Sequence, residues 1–379
     1  MGVGIRLGVG TWELGVDISS PAAASPARRR GYLDWLRGVA VLIMIEAHLI
    51  DSWTRAPDRE TPEFGVAMIV GGMGAPLFLF LAGVAVSMSA GSKLRRTGDP
   101  AAASSAVVRR GFEILGLAYL FRVQAWLLGW SSPRTLLKVD ILNVMGPSIA
   151  AAAALWGAAK TVRGRYLAFA IATIGVAFLT PVLRNLPFLA ALPDPVEAYF
   201  RPVAGLSNFV FLPWAAFVFA GAFVGLMIDH ARSDRTELYV NLVLAGAGAA
   251  IAGISYALSN VRNPLFDSYF WTTSPAFFFI RAGVLTFAVA FAYAWESRKG
   301  GADAWSPLKQ FGRTSLFIYW IHVEMVYGLV SLPLHRSLTW IQAWIAYALF
   351  VLFMLACSIV KDYIVTTWRN RKRQAAAAA

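Results

Sequence analysis

Apolar runs of helix length, separated by short polar links, repeat along the whole chain. A helix rises about 1.5 Å per residue and a bilayer core is about 30 Å thick, so about 20 apolar residues can cross a membrane. Ten runs, each bounded by charges, prolines or glycines, approach this length. They lie at about residues 33–50, 64–90, 107–130, 139–159, 166–183, 205–228, 238–258, 275–295, 312–331 and 339–364. The pattern predicts an all-α, polytopic transmembrane helix bundle of about ten spans.

The positions of the lysines and arginines predict the orientation of this bundle. If the N-terminus is cytoplasmic and the spans alternate, 23 of the 34 basic residues lie on the cytoplasmic side and eight in the outer links. The remaining three, Arg37, Arg122 and Arg281, lie within spans. This asymmetry is typical of membrane proteins and predicts that both termini are cytoplasmic. It also explains the net charge of +13 without a nucleic-acid partner.

Composition excludes a soluble globular domain and narrows the chemistry. The chain is 58% hydrophobic and only 15% charged, far more apolar than soluble domains. Its single cysteine, Cys357, excludes an intramolecular disulfide and a CxxC redox pair. We expect a disordered cytoplasmic tail at residues 1–30, a transmembrane domain at 31–365 and a basic, low-complexity cytoplasmic tail at 366–379.

The first span is unusually rich in ionisable side chains. Residues 33–53 contain Asp34, Arg37, Glu46, His48 and Asp51. A charge at the centre of a spanning helix costs about 2.5–3.5 kcal/mol, which is tolerated where it meets a partner, a cavity or a reaction. His48 and Asp51 are three residues apart, so the carboxylate can orient the imidazole, whereas Glu46 points elsewhere. Asp34 and Arg37 share this spacing, which fits either a functional group or a structural ion pair.

Other spans place charges at similar depth. Arg122 and Arg281 fall in the outer halves of the third and eighth spans, and Asp140 opens the fourth span from outside. His322 and Glu324 lie in the middle of the ninth span. They can line one cavity with His48, or they can pair structurally, for example Arg122 with Glu46 or Asp140.

Two further stretches allow two interpretations each. The second span contains GGMGAPLFLFLAG (71–83), which indicates close helix packing or a kink that lines a groove for a slender ligand. The cytoplasmic link at 91–110 contains Lys93, Arg95, Arg96, Arg109 and Arg110, which fit either topology alone or the phosphates of a nucleotide cofactor. The chain has no P-loop, no GxSxG and no HExxH motif.

Six segments resemble one known superfamily in the same order along the chain. They are LDWLRGVAVLIMIEAH (33–48), PLFLFLAG (76–83), RRGFEILGLAYLFR (109–122), VDILNVMGPS (139–148), LPWAAFVFAGAFVGL (212–226) and GRTSLFIYWIH (312–322). Together they resemble the transmembrane acyltransferases, most closely the bacterial relatives of heparan-alpha-glucosaminide N-acetyltransferase. The resemblance covers roughly residues 30–330.

The resemblance implies acyl transfer from cytosolic acetyl-CoA to a sugar hydroxyl or amine at the opposite face of the plasma (bacterial inner) membrane. His48 matches the catalytic first-helix histidine of bacterial sugar O-acyltransferases in this superfamily. Arg109, Arg110 and Arg122 correspond to third-helix arginines of the same group, so the resemblance implies that they are candidates to contact the acyl donor. In the heparan-type enzyme the catalytic histidine lies in the loop before the second span, and this chain has no histidine there. Its mechanism and substrate are therefore not carried over.

These observations give one main hypothesis. His48 acts as general base or acyl carrier, Asp51 or Glu46 orients it, and His322 lies in the same cavity. The donor contacts are Arg37, Arg95, Arg96, Arg109, Arg110 and Arg122, and the acceptor contacts are Asp140, Arg281 and Glu324. We expect no metal and no nucleic acid, and we expect contact with membrane lipids and a glycan or amino-sugar acceptor, in a monomer or a homodimer.

Two alternatives remain open at this point. A proton-coupled transporter or flippase could use Glu46, His48, Arg122 and Glu324 as a proton path. A family member without catalysis could serve as a membrane scaffold.

Overall fold

The protein folds as an assembly of helices. The computed structural model describes residues 30–129, 132–261, 268–298 and 305–378, so the predicted N-terminal tail lies, except for Arg30, outside the described residues. Within these ranges the chain forms no β-strand, only two isolated bridges. The helices are α1 (Gly31–Trp53), α2 (Pro62–Gly71), α3 (Gly74–Thr97), α4 (Pro100–Gly129), α5 (Ile141–Ala158), α6 (Val162–Leu183), α7 (Asp194–Glu197), α8 (Phe211–His230), α9 (Asp234–Leu258), α10 (Pro275–Ser297), α11 (Pro307–Arg313), α12 (Ser315–Tyr327) and α13 (Trp340–Ala378).

Polar residues in the links fix where several helices begin and end. Asp140 caps α5, accepting a hydrogen bond from the Ile141 amide at 2.8 Å, and Asn143 completes a capping box. Ser233 caps α9 in the same way. Gly98 ends α3 at a φ of 70°, in the left-handed region that glycine adopts without steric penalty.

Eight segments among the described residues are long and apolar enough to cross a membrane. They are α2 and α3 taken together, and α4, α5, α6, α8, α9, α10 and α13. The prediction of an all-α polytopic bundle is therefore confirmed. α1 is 23 residues long but more highly charged, and the predicted ninth span is divided into α11 and α12 at Thr314. The total of ten spans stays a prediction.

Contacts between helix ends agree with an alternating arrangement. At one end, Arg30 binds Glu237 at 3.0 Å and Arg95 binds Asp229 at 2.7 Å. We call this the Arg95 end. At the other end, which we call the His48 end, Thr54 forms a bridge with Leu338. Each contact joins helix ends that strict alternation places on the same side.

α1 lies at the centre of the bundle. It packs against α2, α3, α10, α11, α12 and α13. Its contact with α11 brings backbones together, because a β-carbon on Gly38 would stand 1.9 Å from the carbonyl oxygen of Leu308, and one on Gly312 would stand 1.9 Å from that of Asp34. Small residues at such crossings allow close helix approach.

Two further sequence predictions concern the second span and the C-terminal tail. The glycines after residue 70 interrupt the second span between α2 and α3, as predicted, and Gly71 packs directly against Ala47 of α1. The predicted C-terminal tail at 366–379 begins inside a helix, because α13 continues without a break to Ala378.

Candidate functional site

Two histidines meet near the end of α1. Nδ1 of His48 lies 2.8 Å from Nε2 of His322, and the two rings stack with centroids 5.1 Å apart. His322 is completely buried, whereas His48 is partly exposed. α12 supplies His322, so the pair joins residues that are 274 positions apart in the chain. The expectation that both histidines share one site is consistent with this geometry.

The hydrogen bonds fix which nitrogen atoms of the neutral pair carry protons. Nδ1 of His322 lies 2.8 Å from the carbonyl oxygen of Ile318, which can only accept, so this nitrogen donates. Nε2 of neutral His322 is then an acceptor, and Nδ1 of His48 must donate to it. The remaining lone pair of the His48 ring lies on Nε2. This is the arrangement that a general base or a nucleophile requires.

Aromatic side chains surround the histidine pair. The Tyr327 ring lies 5.5 Å from the His48 ring, and the Tyr319 ring lies 6.0 Å from the His322 ring. The Tyr319 hydroxyl donates to Asp140 at 3.4 Å. Tyr319 thus connects the histidine pair to the charged residues beside it.

Arg122 and Asp140 form a buried ion pair next to Tyr319, as one of the two sequence interpretations predicted. Asp140 has two structural roles, because it pairs with Arg122 and also caps the start of α5. Lys138 lies just outside the helices, and burial, followed by the charge of Arg122, lowers its pKa. Asp140 and Asp51 are also close enough to His48 to act on its charge. Anionic charge therefore lies beside a ring that must become cationic when it accepts a proton.

Neither Asp51 nor Glu46 forms a hydrogen bond with His48, and an orienting role for either stays a prediction. Asp51 instead pairs with Arg59, whose Nη2 donates to Oδ1 at 2.8 Å. Neither carboxylate oxygen of Glu46 has a hydrogen-bond partner among the described residues, and Glu46 lines an apolar groove of about 600 Å³ between α1, α2 and α13. Glu46 lies two positions before His48, so the two side chains face different directions. Asp51 lies three positions after His48, but its carboxylate accepts from Arg59 instead. The side chain that hydrogen-bonds to Nδ1 of His48 is that of His322.

Of the remaining acceptor candidates, neither binds the histidine pair directly. Glu324 lies on α12, two positions after His322, and its buried Oε1 has no hydrogen-bond partner in the described part of the chain. Arg281 lines a separate cavity of about 200 Å³, in which Arg184 is a second guanidinium. A role for these residues stays a prediction.

Most of the predicted donor arginines lie at the Arg95 end and already have carboxylate partners. Arg37 binds Asp34 at 2.9 Å, as the structural interpretation predicted, and Arg95 binds Asp229 through two hydrogen bonds. Arg109 and Arg110 share Glu113. Arg96 is exposed and forms no ion pair within the described residues, and the Arg109 side chain is 83% exposed. These two cations are the best placed to contact a phosphate.

Arg122 is separated from this group. It lies on the same helix as Arg109, but 13 residues further on, which is about 20 Å along the axis. It belongs to the His48 end, so a contact with the phosphates of a donor bound at the Arg95 end does not fit its position.

Some residues of the site are absent from the sequence interpretation. Tyr319 lies three positions before His322, so helical spacing could have indicated it. Tyr327 follows an apolar run, and no feature of the local sequence indicates that it lies beside His48. No cluster of three or more potential metal-ligating side chains occurs in the described ranges.

The fold and the site define a class of protein: a polytopic helical membrane protein with a hydrogen-bonded histidine pair near one end of its bundle. Residues 29–254 match the family described as heparan-alpha-glucosaminide N-acetyltransferase, catalytic. Because this match covers more than half of the 379 residues, the chain belongs to that family of membrane acetyltransferases. The resemblance seen in the sequence is thereby confirmed. A comparison with curated proteins finds no match.

Proposed function

We propose that this protein transfers an acetyl group from acetyl-CoA to an amine or hydroxyl group of a sugar, with His48 as the reacting side chain. The observation that carries this proposal is the histidine pair, whose hydrogen bonds leave Nε2 of His48 with its lone pair. The family membership supports acetyl transfer. The donor identity, the acceptor and the sides of the membrane are proposals.

The reaction needs a base that accepts the proton of the acceptor group and a proton donor for the departing thiolate. Nε2 of His48 removes a proton from the acceptor amine or hydroxyl as that atom attacks the thioester carbonyl carbon. The C–S bond breaks, and the thiolate of CoA takes the proton back from Nε2. His322 keeps accepting from Nδ1 throughout, and Asp51 and Asp140 stabilise the transient positive charge.

An acyl-histidine route uses the same atoms in two steps. Nε2 of His48 attacks the thioester carbonyl carbon, and the C–S bond breaks to release the CoA thiolate. The acceptor then attacks the acetyl carbon, the bond from that carbon to Nε2 breaks, and the proton of the acceptor neutralises the thiolate. Incubation with acetyl-CoA alone followed by mass spectrometry of the peptide containing His48 separates the two routes. A stable gain of one acetyl group supports the two-step route.

Alternating topology and the position of Arg96 lead us to place the donor phosphates at the Arg95 end and the acceptor at the His48 end. Arg37 and His48 are about 16 Å apart along α1. In this arrangement the thioester reaches His48 from the opposite side of the bundle, so α1 lies between the two substrates.

The test measures thiol release from acetyl-CoA by the purified full-length protein with a glucosamine acceptor. We expect His48→Ala to lower the rate by about 10²–10⁴-fold, which is the usual contribution of general base catalysis. His230→Ala is the matched control, because this exposed histidine lies at the Arg95 end. A folded His48→Ala protein with full activity would refute the assignment.

The transporter alternative makes a contrasting prediction. Glu46, one member of its proton path, faces the apolar groove and makes no hydrogen bond to His48. A transporter would release no CoA thiol under these conditions, and it would move protons with its solute in sealed vesicles.

A further inference from the structure

A cavity near the His48 end lies apart from the histidine pair. It has a volume of about 200 Å³ and lies between α8, α10 and the connection from α6 to α8. Its aromatic walls include Trp214, Phe217 and Trp271. Two guanidinium groups, those of Arg184 and Arg281, line it as well.

The charge of this cavity is uncompensated. Neither Arg184 nor Arg281 forms an ion pair within the described residues, and no aspartate or glutamate is among the residues that line the cavity. The buried Nε of Arg184 has no hydrogen-bond partner there. Burial lowers the pKa of Arg184 to about 10, so it is still protonated at neutral pH. A buried carboxyl group can become neutral by taking up a proton, but arginine stays charged.

Arg184 and Arg281 are both partly buried, and two partly buried like charges that line one cavity favour an accompanying anion. The Arg281 guanidinium gains some compensation from the face of the Phe277 ring, 3.9 Å away. A cation–π contact of about 0.5–2 kcal/mol does not replace a counter-ion for both groups. The two guanidinium groups therefore favour an anionic occupant of the cavity.

The start of α10 adds to the positive potential. Ser274, which precedes α10, lines the cavity and makes no side-chain capping bond. The first amide groups of a helix lack intrahelical acceptors and favour an anion. Asn208 and Thr272 contribute further polar side chains to the lining.

We propose that this cavity binds a phosphate group, held between the guanidinium groups of Arg184 and Arg281 at the start of α10. A phosphate monoester carries about −1.5 to −2 charges at neutral pH, which matches two arginines, whereas a carboxylate carries only one. Guanidinium groups also bind phosphate oxygens through paired hydrogen bonds. The aromatic walls fit the sugar or hydrocarbon to which the phosphate is attached.

The cavity lies close to the helix that carries His48. A β-carbon on Gly72 would stand 3.3 Å from Nη2 of Arg281, and the neighbouring Gly71 packs against Ala47 of α1. The phosphate site does not depend on acyl transfer, because it rests on the charge of the cavity alone. Its test therefore needs no acyl donor.

The test uses the full-length protein in a non-ionic maltoside detergent and inorganic phosphate as the probe. We expect phosphate to raise the unfolding temperature in a saturable way, while chloride at equal ionic strength does not. Arg184→Gln and Arg281→Gln should each weaken binding about tenfold or more, as measured by phosphorus NMR titration. Arg134→Gln is the matched control, because this exposed arginine at the same end pairs with Asp194 at 2.6 Å.

Two further arms identify the source of the phosphate. Competition by a soluble sugar phosphate supports a soluble monoester, and competition by phosphatidic acid in nanodiscs supports a lipid headgroup. The proposal fails if wild-type protein shows no saturable phosphate binding, or if both glutamine variants bind phosphate as tightly as the Arg134→Gln control. Phosphate binding by the wild-type protein is measured first. The proposal can therefore still be refuted by this measurement if a glutamine variant does not fold.

Discussion

At the scale of single residues, the central feature is the directed hydrogen bonding of two histidines. The carbonyl oxygen of Ile318 determines the protonated nitrogen of His322, and His322 in turn determines that of His48. In many enzymes a carboxylate orients the reactive imidazole. Here a neutral, completely buried ring holds that position, and the carboxylates of Asp51 and Asp140 act only through space.

Replacing His322 tests this orienting role. His322→Leu should lower kcat of acetyl transfer about 100-fold, because His48 loses the acceptor for its Nδ1 proton. His322→Gln should recover much of kcat, since its side-chain oxygen can accept the same proton. In both variants KM for acetyl-CoA should stay near the wild-type value. A purely structural role for His322 would predict no recovery by glutamine, and equal losses in both variants would contradict our assignment.

The Arg122–Asp140 ion pair should contribute strongly to stability. Removing one partner of a buried pair leaves an uncompensated charge and costs about 3–5 kcal/mol. We therefore expect Arg122→Leu to lower the unfolding temperature clearly in detergent. Combining it with Asp140→Asn should restore part of the loss, which a double-mutant cycle measures. If Arg122→Leu alone leaves the unfolding temperature unchanged, the pair contributes little.

At the scale of helices, the crossing of α1 and α11 depends on two glycines. A β-carbon on Gly312 has no space beside the backbone of Asp34, so the two helices must move apart. The close contact at these two glycines also fixes where α11, and α12 after it, lie relative to α1. The crossing therefore connects packing at the Arg95 end to the histidine pair at the other.

Gly312→Ala should destabilise the protein by about 1–3 kcal/mol, the usual cost of overpacking. Gly175→Ala in α6 is the matched control, because nothing lies within 4 Å of a β-carbon there. This control should be neutral or slightly stabilising, since alanine is the better helix former by about 1 kcal/mol. Thermal unfolding compares both variants, and equal stability of the two would contradict the packing argument.

The start of α13 is held by a carboxylate with a pH-dependent contribution. The backbone N–H of Trp340 donates to Oδ2 of Asp58 at 2.7 Å, and Arg55 binds Oδ1 at 3.1 Å. The hydrogen bond from Arg55, followed by that from Trp340, lowers the pKa of Asp58 below its ordinary value.

Because the folded pKa of Asp58 lies below the unfolded value of about 3.9, its stabilisation is complete above that value and is lost as pH falls through the folded pKa. Asp58→Asn should thus lower the unfolding temperature at neutral pH, and the difference from wild type should shrink in acid. Scans at several pH values check this. A difference that is independent of pH would contradict the ionic contribution.

At the scale of the whole molecule, ion pairs and bridges connect helix ends in two separate sets. This arrangement agrees with alternating helices and with the distribution of lysines and arginines along the sequence. In the reaction that we propose, the donor would bind at the Arg95 end and the acceptor at the His48 end, and α1 would connect the two sites.

Cysteine labelling tests the proposed orientation. In a Cys357→Ser background, Glu60→Cys marks the His48 end and Arg232→Cys the Arg95 end. We expect a membrane-impermeant maleimide to label the first in intact cells and the second only after permeabilisation. The reverse result would place the histidine pair at the cytoplasmic face.

Local sequence features determined much of this protein. Apolar runs of sufficient length produce helices because hydrogen bonds within a helix satisfy every backbone group in lipid. The spacing of Asp34 and Arg37 produced their ion pair, and the ordered motifs indicated the family. Each of these features depends on residues that are close together in the sequence or on the order of the motifs along the chain.

Only the tertiary structure decided which side chains meet across helices. The partner of His48 lies 274 residues away, and Arg184 and Arg281 share a cavity that no sequence motif indicates. Such contacts depend on how each helix is rotated about its axis and how closely it approaches its neighbours. Hydrophobic periodicity gives that rotation only coarsely in a bundle surrounded by lipid, because lipid and the protein interior are similarly apolar. For this reason the sequence placed both histidines in one cavity but did not indicate that His322 hydrogen-bonds to His48.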